Sequence, residues 1–319
     1  MAPASLRLAV IGLGSMGRNH LRIYRQMEGV RVVAAADVDP SLLRQATHDS
    51  PTRAYDDYCR LLEQEELDAV SVAVPTRLHG EVALAAMARG VHLLVEKPIA
   101  STAAEGLAME RQAQAAGVKL MVGHVERFNP AVAVLRERLA TGDVGRLLQI
   151  QARRVGPFEP RVRDVGVVHD LASHDLDLLR VLLGSEPLHL YALVQQGVRT
   201  QHEDSLLGLL RFPGDVMALV DVNWLSPWKK RQVTVLGDRG AFLLDYISQD
   251  LRLHRRDDAQ TIAVAKQEPL RLELEAFVEA VRYDRPPPVS AADAIVALRL
   301  AEHLVTSGRS GRPLDVAIS

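Results

Sequence analysis

The first third of the chain alternates short apolar runs with helical stretches, and this rhythm constrains the fold more than any other feature. The runs LRLAVIGLG, VRVVAAADV, LDAVSVAVP, VHLLVEKP and VKLMVGH have the character of strands, and the segments between them have helical spacing. Strands that are apolar throughout and alternate with helices are typical of a parallel sheet covered on both faces. We therefore predict a doubly wound α/β Rossmann domain at residues 1–124.

The rhythm changes after about residue 125. Strand-like runs follow one another in PLHLYALVQQ, SLLGLLRF, VMALVDVNWL, RQVTVLG, GAFLLDYI and LRLHRR, and FPGD and LGDRG are typical hairpin turns. Helices are expected in DLASHDLDLLRVLLG and from Ala291 to about Thr306. Residues 125–319 are therefore predicted to form an α+β domain with a large, open, mainly antiparallel sheet.

A glycine-rich loop follows the first predicted strand. VIGLGSMG has G-x-G-x-x-G spacing, which lets a pyrophosphate approach the backbone and rest on the N-terminus of the next helix. Asp37 ends the second strand, where a carboxylate binds ribose hydroxyls and repels a 2′-phosphate, although it also fits a turn in DVDP. The sequence therefore favours NAD over NADP. The predicted contacts are Gly12, Leu13, Gly14, Ser15, Met16, Gly17 and Asp37.

Two later strands end in residues suited to the same edge of the sheet, where ligands bind in open α/β folds. Lys97, in VEKP, could exchange a proton with a substrate hydroxyl, although a surface lysine fits the position equally well. His79 could line the cofactor site or simply begin a helix. The further predicted cofactor contacts are Val74, Pro75, Thr76, His79, Glu96 and Lys97.

The stretch GVVHDLASHDLDLLR concentrates histidines and aspartates on one predicted helix. At 100° per residue, Asp170 and His174 share a face, which suits an imidazole oriented by a carboxylate. His169 diverges from His174 by about 140°, so no metal site is expected. Asp170 could instead serve as a helix cap. Asp175 and Asp177 are expected to face solvent or to cap neighbouring elements.

Arginines cluster just before this helix. Guanidinium groups bind phosphates bidentately, so ARRVGPFEPRVRD and ERFNP supply candidates for contacting an anionic substrate, although solvated surface charge would explain at least half of them. The candidates are Arg127, Asn129, Arg153, Arg154, Arg161 and Arg163.

Composition excludes several classes of protein. The formal net charge is -2 and there is no basic stripe, so no nucleic-acid partner is expected. No segment approaches the roughly 20 apolar residues of a membrane span, and LAVIGLG is too short for a signal core. The single cysteine, Cys59, cannot form an intrachain disulfide. We therefore expect a cytoplasmic protein.

The motifs IGLGSMG, AAADVDP, VAVPTRLH, LLVEKPIA and DLASHDLD together resemble the Gfo/Idh/MocA family of NAD(P)-dependent sugar oxidoreductases over nearly the whole chain. The resemblance implies that Lys97, Asp170 and His174 form the catalytic set. It also implies an open sheet that serves as an oligomer interface, hence a homodimer or homotetramer. VGHVERFNPAV, RRVGPFEPRVRDVGVVHDLASHD and NWLSPWKKR resemble the branch that oxidises C3 of UDP-N-acetylglucosamine.

The expected function is NAD-dependent oxidation of a sugar hydroxyl to a ketone. His174, oriented by Asp170, would remove the hydroxyl proton while Lys97 stabilises the oxygen, and a variant with Lys97 as the base stays open. Two alternatives also stay open. One is an inositol or free-sugar dehydrogenase of the same family, and the other is a non-catalytic NAD-binding regulator.

Overall fold

The computed structural model describes residues 5–48, 50–159 and 165–316. No helix in these segments is long and apolar enough to span a membrane. The helices are α1 (Ser15–Tyr24), α2 (Pro40–Thr47), α3 (Tyr58–Gln64), α4 (His79–Met87), α5 (Ala103–Ala116), α6 (Pro130–Ala140), α7 (Ser173–Leu183), α8 (Pro269–Arg282) and α9 (Ala291–Ser310). The strands are β1 (Leu6–Ile11), β2 (Val30–Ala36), β3 (Arg53–Tyr55), β4 (Ala69–Val72), β5 (His92–Glu96), β6 (Leu120–Gly123), β7 (Leu147–Pro157), β8 (His189–Gln196), β9 (Glu203–Arg211), β10 (Met217–Asn223), β11 (Leu225–Gly237), β12 (Gly240–Asp245), β13 (Asp250–His254), β14 (Ala259–Ile262) and β15 (Leu314–Asp315).

One compact unit comprises residues 1–124 and 270–295. Its sheet is parallel, in the order β3-β2-β1-β4-β5-β6. Consecutive residues of the central strands, such as Ala9 and Val10, are fully buried, so both faces of the sheet are covered. The strand order reverses between β1 and β4, and in this fold ligands bind in the crevice at that switch point. The predicted doubly wound α/β architecture is confirmed.

The other unit comprises residues 125–269 and 296–319. Its sheet runs β14-β13-β12-β11-β7-β10-β9-β8-β15, and only the β7–β10 pair is parallel. The predicted hairpins at FPGD and LGDRG join β9 to β10 and β11 to β12. Alternate residues of the strands enter a core shared with α6, α7 and α9, in which Leu206, Leu176 and Leu304 are buried. The predicted open, mainly antiparallel sheet is confirmed.

The structure differs from the sequence-based prediction in several places. The predicted helix over DLASHDLDLLRVLLG begins with a π-helical turn at Val168–Ala172 before α7, and Gly184 closes it with φ +62°. Helix α8 groups with the first unit, whereas the sequence placed it in the second domain. The short edge strand β3 was not predicted, because its residues are mostly exposed and carry no apolar pattern.

Candidate functional site

The glycine loop after β1 has the backbone geometry that a dinucleotide requires. Gly12 has φ +90°, and a Cβ there would lie 2.6 Å from the carbonyl carbon of Ala73. A Cβ on Gly17 would collide with the carbonyl oxygen of Gly12. A Cβ on Gly14 would meet no protein atom within 4 Å, so this backbone faces open space. Gly12 and Gly17 therefore shape the loop, and Gly14 leaves room for a ligand.

The N-terminus of α1 and Asp37 complete this cradle. Helix α1 has no side-chain cap and no acidic residue in its first turn, so its first N–H groups can meet an anion. Asp37 accepts hydrogen bonds from the backbone N–H of Leu13 at 2.5 Å and of Asp39 at 2.8 Å. Each carboxylate oxygen has a second lone pair, which a ribose hydroxyl could use. These residues fit NAD.

Lys97 follows β5 and is joined to Pro98 by a cis peptide bond. The backbone N–H of Lys97 lies 3.3 Å from Oε2 of Glu96, and Oε1 of Glu96 lies 3.0 Å from Nε2 of the buried His20. Burial disfavours the ionised form of Glu96, but the His20 hydrogen bond and the nearby positive charge of Lys97 lower its pKa. A buried anion therefore supports the backbone at Lys97.

The segment after β4 contains Val74, Pro75 and the buried Thr76, and it leads into α4. His79 is buried at the start of α4, with Nδ1 2.8 Å from the carbonyl oxygen of Pro98 and Nε2 2.9 Å from that of Val74. Both ring nitrogens are thus engaged by backbone, and the imidazole connects the ends of β4 and β5. The contact of His79 with the cofactor stays a prediction. The sequence did not reveal that His79 bridges two backbone carbonyls.

In the second unit, Asp170 lies in the π-helical turn and His174 in the first turn of α7, and both are half-buried. The rotation of 100° per residue applies to an α-helix and does not hold across a π turn. The spacing of Asp170 and His174 therefore does not by itself place them on one face. Asp170 lines a cavity of about 80 Å³. Its other lining residues are Arg154, Val155, Gly156, Pro157, Glu159, Leu171, Trp224, Lys229 and Arg231.

Arg154 is fully buried in an ion-pair cluster. Its Nε lies 3.1 Å from Oδ2 of Asp175 and its Nη1 lies 2.8 Å from Oε1 of Glu126, and the guanidinium sits over the ring of Tyr246. Burial would lower the pKa of Arg154, but the two carboxylates raise it. Burial raises the pKa of Asp175, and the charge of Arg154 offsets this only in part. The prediction that Asp175 faces solvent or caps a neighbour is therefore wrong.

The other candidates near this helix are also engaged by protein groups. Arg127 donates from Nε to Oδ2 of Asp177 at 2.7 Å, so the solvent-facing or capping role expected for the buried Asp177 is wrong as well. Asn129 is buried and caps α6, accepting from the N–H of Ala131 at 3.1 Å. Arg153 pairs with Asp221 at 2.9 Å on the exposed side of β7. Arg161 and Arg163 lie outside the described residues.

Arg231 and Lys229 are cations at the cavity that the sequence reasoning missed. Arg231 on β11 lies directly opposite Arg154 on β7 in the antiparallel register. It is half-buried, and burial together with the charge of Arg154 lowers its pKa. The nearby carboxylates of Glu126, Asp175 and Asp170 oppose this shift. The signal was present in WKKRQV, but cross-strand pairing cannot be read from spacing alone.

Within residues 5–48, 50–159 and 165–316, no group of three or more His, Cys, Asp or Glu residues could hold a metal ion.

Comparison with protein families gives two adjoining matches. Residues 6–124 match an oxidoreductase family described as having an NAD-binding Rossmann fold, and residues 132–243 match the GFO/IDH/MocA C-terminal domain. One match falls in each unit, and together they include the glycine loop, Lys97, Asp170 and His174.

Individual relatives match this chain over most of its length. The UDP-N-acetylglucosamine 3-dehydrogenase of Acidithiobacillus ferrooxidans is 30% identical over 291 residues, covering 88% of this chain and 90% of that enzyme. The scyllo-inositol 2-dehydrogenase (NAD(+)) of Bacillus subtilis is 25% identical, covering 98% of this chain and 97% of that enzyme. A solved structure of the Acidithiobacillus ferrooxidans enzyme superposes with a TM-score of 0.87 at 28% identity, covering 96% of this chain and 98% of that one.

Proposed function

The chain belongs to the GFO/IDH/MocA family of NAD-binding oxidoreductases, and on that premise we propose that it oxidises C3 of UDP-N-acetylglucosamine or of a related nucleotide sugar to a ketone. The observation that carries this proposal is the 30% identity to an enzyme of that name over 88% of the chain. Other relatives are inositol dehydrogenases, so the oxidation of a hydroxyl group is common to the relatives, whereas their substrates differ.

In this proposal NAD, when bound, supplies C4 of its nicotinamide as the hydride acceptor. The glycine loop and Asp37 hold the dinucleotide. His174, oriented by Asp170, accepts the proton of the substrate hydroxyl, and Lys97 donates a hydrogen bond to the same oxygen as negative charge develops on it. The carbon loses a hydride and the oxygen loses a proton, which together give the ketone. Lys97 as the base, with His174 as its acid partner, is the variant of this scheme.

We propose Arg231 as a contact for an anionic group of the substrate. Arg127 and Arg154 already neutralise buried carboxylates, so they would position neighbouring elements rather than bind phosphate. Arg231 lines the cavity beside Asp170 and is half-buried, and the carboxylates of Glu126, Asp175 and Asp170 lie near enough to oppose the lowering of its pKa. Its planar fork matches phosphate and carboxylate oxygens. Arg161 and Arg163 stay candidates from the sequence.

One alternative has its own supporting observation, and a second has an observation against it. An inositol or free-sugar dehydrogenase is favoured by the inositol-specific relatives, and its neutral substrate would have no need of Arg231. A non-catalytic NAD-binding regulator would have no need of Lys97, Asp170 and His174 together. We also infer a homo-oligomer formed through the open sheet and a cytoplasmic location.

The test is NADH production, followed at 340 nm, with a panel of UDP-N-acetylglucosamine, its uronate, inositols and free hexoses. Turnover confined to the nucleotide sugars supports the proposal. Turnover only with inositols or free hexoses replaces it with the first alternative. Tight NAD binding without turnover of any member favours the regulator.

A further inference from the structure

Two backbone groups contact the ring of His79, and their chemistry bears on how many protons the ring carries. Both are backbone carbonyl oxygens, of Pro98 at 2.8 Å from Nδ1 and of Val74 at 2.9 Å from Nε2. A carbonyl oxygen can only accept a hydrogen bond, and a neutral imidazole has only one N–H. A neutral ring would therefore point a nitrogen lone pair at a carbonyl lone pair in a buried place, at a separation typical of a hydrogen bond.

We propose that His79 is a doubly protonated imidazolium that bridges the ends of β4 and β5 and acts as a positioning residue for Lys97. Pro98, whose carbonyl it holds, directly follows Lys97. The N–H of Lys97 faces the Glu96 carboxylate at 3.3 Å. The backbone of Lys97 is thus held on its amino side by Glu96 and on its carboxyl side, one residue on, by His79.

A buried cation needs compensating negative charge, and the first unit supplies it. Glu96 is 7% exposed and interacts electrostatically with His79, Lys97 and His20. The N-terminal end of α4 disfavours a cation, because its dipole is positive there, but Glu81 lies in the same first turn. Two charge-assisted hydrogen bonds and the Glu96 carboxylate favour the charged form of His79, whereas burial and the helix dipole disfavour it.

The protonation state is tested by NMR on the whole protein, uniformly deuterated, with ¹⁵N-labelled histidine and ¹³C-carbonyl-labelled proline and valine, at pH 7.5. The expected result is one histidine with two slowly exchanging ring protons, both nitrogens in the imidazolium range. Couplings through the hydrogen bonds to the Pro98 and Val74 carbonyls identify it as His79 without any mutation. A single ring proton on that histidine, with one unprotonated nitrogen, would overturn the proposal.

The positioning role is tested separately with His79→Gln, whose single amide group cannot bridge both carbonyls. This part rests on the proposed role of Lys97 in turnover. We expect kcat at saturating NAD to fall at least tenfold and its pH profile to shift, beyond any change in the Kd for NAD. Unchanged kcat and pH profile would refute positioning. A loss of NAD affinity as large as the loss of kcat would also refute positioning.

His92→Gln is the matched control, because His92 begins β5 at its far end and accepts a hydrogen bond from the N–H of Lys119 at 3.0 Å. We expect its kcat to stay within twofold of the parent protein. If the parent turns over none of the panel substrates, the proposed function fails, but the NMR result on His79 still decides its protonation state. If His79→Gln does not fold, the NMR experiment stands on the unmodified chain.

Discussion

At the scale of single residues, Lys97 separates the chemical step from cofactor binding. Its side chain follows β5, whereas the groups suited to NAD lie on the glycine loop and Asp37. We expect Lys97→Ala to lower kcat by about 100-fold or more, since a positioned proton donor or acceptor contributes roughly 10²–10⁴-fold. The Kd for NAD, measured by fluorescence titration, should change less than threefold.

Lys97→Arg distinguishes the two proton-transfer schemes. Arginine keeps the positive charge but does not release a proton at the pH of an activity assay. If Lys97 only stabilises charge, the variant should retain more activity than Lys97→Ala; if Lys97 is the base, both variants should be equally inactive. Equal losses of kcat and NAD affinity in Lys97→Ala would instead indicate a structural role.

The residues that sequence could place are those whose chemistry follows from local spacing. Gly12, Gly14 and Asp37 are identifiable because the loop, strand and helix around them are contiguous. Arg154 and Asp175 could not be placed, because their pairing depends on which strand and helix meet in the fold. Burial turned a predicted phosphate contact and a predicted surface acid into partners of one ion pair.

At the scale of the element, the loop between β1 and α1 contains two glycines whose substitution should differ in its effect on stability. An alanine at Gly14 meets no protein atom, so we expect Gly14→Ala to cost about 1 kcal/mol or less in unfolding free energy. NAD affinity should fall by at least tenfold, because the methyl group enters the space where the pyrophosphate approaches the backbone.

Gly17→Ala should lower both the Tm and NAD affinity, because its Cβ collides with the backbone of Gly12. Calorimetry and NAD titration on both variants provide the comparison. An equally large loss of Tm in Gly14→Ala would contradict the assignment of that residue to ligand contact.

The pairing of β7 with α7 depends on the buried charge of Arg154. Arg154→Met leaves two carboxylates, Glu126 and Asp175, without their buried cation, and we expect a loss of about 3–5 kcal/mol in unfolding free energy by urea denaturation at pH 7. Arg153→Met is the control on the neighbouring residue of the same strand. Arg153 pairs with Asp221 near solvent, so its loss should cost less than about 1 kcal/mol.

The cost of Arg154→Met should also depend on pH. Burial already raises the pKa of Asp175 above its unfolded value, and removal of Arg154 takes away the charge that opposes this shift. The folded state then binds more protons than the unfolded state, so the variant gains stability as pH falls through the folded pKa. The difference in unfolding free energy between variant and parent should shrink as pH falls toward the ordinary aspartate pKa of about 3.9. A constant difference would show that Asp175 does not carry the penalty.

At the scale of the whole molecule, the sequence predicted both sheets because each has its own periodicity. Apolar runs such as β4 require cover on both faces, whereas the alternating residues of β9 require cover on one. The edge strands β3 and β15 escaped prediction because they have two or three residues and little apolar content. The grouping of α8 with the first unit also escaped it, since contacts across the chain, and not local pattern, decide that.

The outward face of the second sheet carries apolar side chains that a monomer would leave in water. Leu207 and Leu209 on β9 are 48% and 55% exposed, and Leu193, directly opposite Leu207 on β8, is 56% exposed. Contiguous exposed apolar surface is typical of protein–protein interfaces. We therefore expect the protein to form a symmetric dimer or tetramer through this face.

The combined change Leu207→Glu and Leu209→Glu should reduce the oligomer to a smaller species, because it would bury unpaired carboxylates in the interface. Light scattering coupled to size exclusion measures the mass, and the far-UV CD spectrum should be unchanged, since both side chains point away from the core. Leu84→Glu, at an exposed leucine of α4, is the matched control and should keep the parent mass. A parent protein that is monomeric at micromolar concentration, or a double variant of unchanged mass, would remove this face as the interface.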